Sequence, residues 1–131
     1  MDSQIQISQS IDVDDFKTLL CGAWHYCHYF LNVDCDPASS WFFHLYPAKW
    51  KNNATIEDMV WAYLKDGHKL NAHDVESDES FYLTWDKIVE GTKVFCQDFP
   101  GHWDDLRNEN DDAITADVWM QCVCFGDVIY G

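Results

Sequence analysis

The stretch that most limits the fold lies in residues 84–131, where two apolar helical segments flank a dense acidic connection containing Asp104, Asp105, Glu109, Asp111, Asp112 and Asp117. Carboxylates at that density repel one another and keep their water, so the connection belongs on a surface. The flanking segments carry apolar residues at three- and four-residue intervals, which is the pattern of helices that bury one face. The remainder of the chain is then expected to complete one small core that holds this surface.

A length of 131 residues is that of one ordinary domain, expected to span residues 1–131, and such a domain buries roughly two thirds of the surface its unfolded chain exposes. Hydrophobic residues make up 47% and there are seven tryptophans, which excludes a disordered acidic tail. The net charge is −15, and dividing the chain after residues 53 and 100 gives −3, −6 and −6, so the last 31 residues carry as much as the middle 47. Direct binding to nucleic acid requires cations that displace counterions from phosphates, and this chain repels a polyanion instead. Anionic membranes are disfavoured for the same reason. The partner such a charge suits is basic.

Six cysteines, Cys21, Cys27, Cys35, Cys96, Cys122 and Cys124, would permit three disulfides by number alone. The opening Met1, Asp2, Ser3 and Gln4 show no basic region leading into a long apolar one, so secretion is not signalled. Reduced thiols and a cytoplasmic location are therefore expected. No apolar run approaches the roughly 20 residues that span a bilayer.

Along the chain, Ile5, Ile7 and Ile11 suit a short edge strand or a frayed arm. Asp12 or Asp14 is placed to cap a helix reaching about Asn32, with Phe16, Leu19, Leu20, Ala23, Trp24, Cys27 and Leu31 on one stripe. The aromatic run at residues 41–46 suits a strand. Thr55 and Asp58 have capping-box spacing before a helix with Ile56, Met59, Val60, Tyr63 and Leu64 on one face, stopped by Gly67. Residues 68–80 are polar, carry Asp74, Glu76, Asp78 and Glu79, and read as an exposed loop. Residues 81–83 suit a second strand. Thr84 then caps a helix that Pro100 and Gly101 stop, weakened at Gly91 by about 1 kcal/mol relative to alanine. Residues 102–109 suit one or two polar helical turns. Asp111 or Asp112 caps a last helix to Phe125 with Gly126 at its C-cap, and residues 127–131 pack back on the core. The expected class is α+β, mainly helical, with about four helices and a small two- or three-stranded sheet.

Several groups of residues carry possible chemistry. Cys21, His25 and His28 fall at i, i+4 and i+7 on a helix face opposite the apolar stripe, a row that suits zinc if Cys35 or His102 supplies a fourth ligand. Paired CxxC or HxxxH knuckles are lacking, and packing under a loop or against a partner explains the same face. Cys122 and Cys124 point about 200 degrees apart on a helix, so they read as small buried hydrophobes rather than a redox pair. Residues 104–117 lack the glycine and the ligand spacing of an EF-hand, and the chain has neither a phosphate-binding glycine loop nor a nucleophile elbow. No enzyme and no cofactor is expected. The carboxylates read either as a solvated face or as an imitation of a phosphate backbone, with Trp103 and Trp119 as desolvated anchors and Asp74, Glu76, Asp78 and Glu79 as a second acidic stretch.

The segments Trp103-Asp104-Asp105-Leu106, Asn110-Asp111-Asp112-Ala113, Thr115-Ala116-Asp117-Val118 and Phe125-Gly126-Asp127-Val128-Ile129-Tyr130-Gly131 resemble the ending of small uncharacterised proteins of phages and mobile elements. Size and acidity are also similar to those of phage anti-defence inhibitors of the anti-CRISPR and anti-restriction kind, several of which mimic DNA. The resemblance implies a non-enzymatic inhibitor that occupies a basic surface on a nucleic-acid-handling host protein, and it transfers no functional residue. A metal-binding module or enzyme built on Cys21, His25 and His28 is one alternative. A homo-oligomeric structural protein, such as a homodimer, that buries excess aromatics at a symmetric interface is another.

Overall fold

The structure is a computed structural model that describes residues 12–27, 29–33, 55–110 and 112–130. Among these are five helices and a three-stranded antiparallel sheet, which makes the chain α+β and mainly helical. Contacts gather into two units, one from Met1–His28 with Asp86–Gly131 and the other from Tyr29–Trp85. The edge strand or frayed arm expected within residues 1–11 and the strand expected at residues 41–46 lie outside the described residues.

In the first unit, α1 spans Val13–Tyr26, and Asp12 caps it by accepting a hydrogen bond from the Asp15 N–H at 2.8 Å. Its stripe of Phe16, Leu19, Leu20 and Ala23 is buried. The helix does not run to Asn32 as expected. It ends at Tyr26 with Cys27 as its cap, and residues 31–33 form a strand, β1 (Leu31–Val33). Cys27, Phe30 and Leu31 stay buried across the break, so the apolar spacing continued while the backbone changed, and pairing with a distant strand outweighed local periodicity.

The helix α3 spans Trp85–Asp98 and buries Ile88, Gly91, Thr92, Phe95 and Cys96. After Phe99 a separate helix α4 covers Pro100–Arg107, with proline at its start, where the missing N–H costs nothing. Sequence spacing suggested only one or two turns within residues 102–109, so this helix raises the total from about four to five. The last helix, α5 (Ala113–Phe125), has Asp112 and Thr115 in a reciprocal capping box and Gly126 in left-handed geometry (φ 74°) at its end.

Residues 119–124 of α5 are all buried, more than one full turn, so that part of the helix is enclosed on every side. Trp119 meets Phe16 edge to face at 5.9 Å, and its Nε1 donates to the Thr92 hydroxyl at 3.1 Å, which itself donates to the Ile88 carbonyl. Two glycines let backbones close in on α5. A methyl group at Gly22 would lie 2.7 Å from the Ala116 Cβ, and one at Gly91 would lie 2.3 Å from the Val123 Cα.

In the second unit the strand order is β1, β2 (Leu70–Asp74), β3 (Glu79–Leu83), with Leu31 opposite Asp74 and Leu70 opposite Leu83. The helix α2 (Ile56–Lys65) has the expected Thr55–Asp58 capping box and buries Met59, Val60 and Leu64. Gly67 follows with φ 96°. Residues 68–80 are not one exposed loop. Leu70, Ala72 and Asp74 are buried in alternation with Asn71 and His73, the period of a strand, which the polar composition concealed.

Candidate acidic interaction surface

Within α4 the sequence alternates what must be buried with what cannot be. Trp103 and Leu106, three apart, turn inward, and the Trp103 ring meets Phe95 edge to face at 6.4 Å. Asp104 and Asp105 therefore fall on the outer side, about 100 degrees apart, and both are exposed. Arg107, at the end where the helix dipole favours a cation, stacks over Trp103 at 5.4 Å and donates to Asp15 Oδ2 at 3.2 Å. The one cation of α4 is thus committed to α1. Burial pushes the Asp15 carboxyl above its ordinary value, Asp12 adds to that, and Arg107 opposes it.

The chain leaves α4 through Glu109, which holds φ 59°, a left-handed geometry usually given to glycine. The Glu109 N–H donates to the Leu106 carbonyl at 3.2 Å and the Asn110 N–H to that of Asp105 at 2.7 Å, a pairing that closes the helix end and leaves the Glu109 side chain exposed. Asp111 lies outside the described residues. Asp112 accepts from the Thr115 N–H at 3.0 Å and from its hydroxyl at 3.2 Å, which hold its carboxyl below the ordinary 3.8. The His102 ring reaches the same hydroxyl with Nδ1 at 3.1 Å, tying α4 to the start of α5.

Asp117 does not join this array. Its Oδ1 accepts from Gln121 Nε2 at 2.9 Å and faces the Cys27 thiol at 4.0 Å, so it serves the interior. Trp103 is 9% exposed and Trp119 is fully buried, which places both proposed anchors in the core. The apolar side chain exposed beside Asp112 is Ile114, at 62%. Asp12 and Asp14 are exposed at the start of α1, and the Asp15–Arg107 pair brings that turn to the end of α4. Sequence distance hid this second group, although its acid-rich first turn was visible.

No family model, curated protein or solved structure matches the chain.

In the second unit the acidic stretch divides between support and display. Asp74 is buried and accepts from the Glu76 N–H at 3.0 Å, the Ser77 N–H at 3.4 Å and the Ser77 hydroxyl at 2.8 Å, which builds the turn from β2 to β3. Glu76, Asp78 and Glu79 are exposed. Asp78 holds φ 62° and lies 3.1 Å from His73 Nε2, whose other ring nitrogen meets Ser80 at 3.0 Å.

Of the zinc row, His28 lies outside the described residues. Cys21 and His25 are exposed, and His25 Nδ1 lies 2.9 Å from the Cys21 carbonyl oxygen, so it donates there. Among the described residues no three His, Cys, Asp or Glu side chains gather to hold a metal ion, and no helix is long and apolar enough to cross a membrane.

Proposed function

We propose that the chain is a non-enzymatic acidic binding protein, an inhibitor of the anti-CRISPR or anti-restriction type from a phage or mobile element, acting in the host cytoplasm. It occupies the basic nucleic-acid-binding surface of a host protein by presenting carboxylates in place of phosphates. The observation that carries this reading is the state of Asp104, Asp105 and Glu109. All three are exposed without a cation beside them among the described residues, while Arg107 is turned to Asp15. The backbone that carries these carboxylates is already fixed by a helix and its closed end, so only side-chain rotamers are ordered when they meet guanidinium or ammonium groups, and much of the charge-assisted bonding energy is kept. The net charge of −15 adds long-range steering toward a cationic groove.

The test is inhibition in cells that carry a restriction or CRISPR system, read as the plating efficiency of a challenging phage, together with displacement of duplex DNA from the purified target nuclease. The triple variant Asp104→Lys, Asp105→Lys, Glu109→Lys spares the Asp112 cap. Losing three charge pairs of about 1.5 kcal/mol each weakens binding by roughly a thousandfold. Unaltered inhibition by a folded triple variant refutes mimicry through this face.

A further inference from the structure

We propose that Ser80 is an acylation site: His73, oriented by Asp78, activates its hydroxyl to take one acyl group from a neutral, activated ester. This proposal is independent of the acidic face of the first unit. Strand alternation and register create the arrangement. Along β2, His73 alternates with buried Ala72 and Asp74, and the pairing of β2 with β3 sets it directly opposite Ser80, so the two side chains rise from the same face of the sheet. Buried Asp74 builds the connecting turn by accepting from the Glu76 N–H and from the N–H and hydroxyl of Ser77. Asp78, left-handed at φ 62°, then returns its carboxylate to His73.

The hydrogen bonds fix the tautomer of the ring. Asp78 Oδ1 lies 3.1 Å from His73 Nε2 and, as a carboxylate oxygen, only accepts, so Nε2 carries the proton. In the neutral ring Nδ1 is then a lone pair, and the Ser80 hydroxyl, 3.0 Å away, donates to it. A hydroxyl whose proton is aimed at a base, with a carboxylate behind that base, is the arrangement that activates a serine nucleophile. In the acylation step Ser80 Oγ bonds to the acyl carbon of an aryl ester and its proton passes to His73 Nδ1. The bond from the acyl carbon to the aryl oxygen breaks, its electron pair leaves with the aryl oxide, and His73 returns the proton to that oxide or to water. The aryl oxide is a far better leaving group than the serine alkoxide, so the ester on Ser80 accumulates and the site labels itself once rather than turning over. Exposed Glu76, Asp78 and Glu79 surround Ser80 in sequence, and their negative field disfavours anionic acyl donors.

The probe is p-nitrophenyl acetate, added to the full chain at about pH 8, where an ordinary imidazole is neutral. Acetyl groups are located by tandem mass spectrometry, and hydroxylamine, which cleaves esters and spares amides, separates a serine adduct from lysine adducts. Ser77 is the internal control: it is exposed in the same turn, but its hydroxyl donates to the Asp74 carboxylate instead of to an imidazole. A positioned general base contributes about 10²–10⁴-fold, and open solvent lowers that figure, so Ser80 is expected to be acetylated at least tenfold faster than Ser77. His73→Gln keeps a polar side chain without the base and is expected to bring Ser80 down to the rate of Ser77. Equal rates at the two serines of the natural chain overturn the proposal without any variant. Acetylation of Ser80 that is undiminished in a His73→Gln protein with unchanged thermal unfolding overturns it as well.

Discussion

Replacing Gly91 by alanine separates helix propensity from packing, because the two predict opposite signs. Within an isolated helix the change stabilises by about 1 kcal/mol, since glycine loses more backbone freedom on folding. In this fold the added methyl would lie 2.3 Å from the Val123 Cα, 2.6 Å from the Val123 nitrogen and 2.8 Å from the Cys122 carbonyl carbon. All three neighbours are backbone, so no flexible side chain can swing aside and α3 must draw back from α5. Overpacking of this kind costs about 1–3 kcal/mol, occasionally more, and the absence of a yielding neighbour puts Gly91→Ala at the upper end. After the propensity gain is subtracted, a net loss of about 2 kcal/mol is expected. In urea, where a protein of this size loses about 1–3 kcal/mol of stability per molar, the midpoint should fall by roughly 1 M. Gly101→Ala is the control: Gly101 sits in α4 with no atom within 4 Å of an added Cβ, so only the propensity gain applies there. A Gly91→Ala protein as stable as the natural chain would refute the close approach of α3 and α5.

Glu109→Gly relieves the left-handed strain at the end of α4 and is expected to raise stability by about 1 kcal/mol while weakening partner binding through the lost carboxylate; thermal unfolding and inhibition measured on one preparation check the trade. Burial pushes the Cys27 and Cys122 thiols up to about 12 and that of Cys96 up to about 11, so iodoacetamide at neutral pH should modify exposed Cys21 first and these three only after unfolding, as mass spectrometry would show. The Asp112 carboxyl is held below the ordinary 3.8 by hydrogen bonds led by that from the Thr115 N–H. Its contribution is therefore present above about pH 4 and lost as pH falls through the lower folded value, and Asp112→Asn should flatten that acid limb in unfolding measured against pH.

Local signals with a direct physical cause were legible in the sequence. Asp12, the Thr55–Asp58 box, Asp112 and Gly126 act at the helix ends where their chemistry placed them, because a cap needs only its own few residues. What could not be read depended on partners far along the chain. The apolar row that ran through Cys27 to Leu31 was continuous in burial but not in conformation, since β1 exists only by pairing with β2. β2 was hidden because Asn71, His73 and Asp74 are polar, and the burial of Asp74 depends on a turn it builds itself. Gly91 looked like a weakness of α3 because spacing within one helix holds no information about a second helix lying against it. Trp103 and Trp119 looked like anchors beside the acidic stretch, yet both are core.

The same distinction changes what the charge means. Composition weighs every carboxylate equally, but the fold gives them three different tasks. Asp12, Asp58 and Asp112 cap helices, Asp74 and Asp117 satisfy interior groups, and Asp104, Asp105 and Glu109 stand free in the first unit. Steering toward a basic partner responds to the total charge and is screened by salt over about 10 Å at 0.1 M, whereas the lifetime of a complex depends on the groups that touch it. Neutralising the exposed Glu90 on α3 should therefore slow association at low salt and leave dissociation unchanged, while neutralising Asp104 or Asp105 should speed dissociation at every salt concentration. If both substitutions alter only the association rate, the free carboxylates of α4 contribute field but no contact, and the partner is held by some other part of the chain.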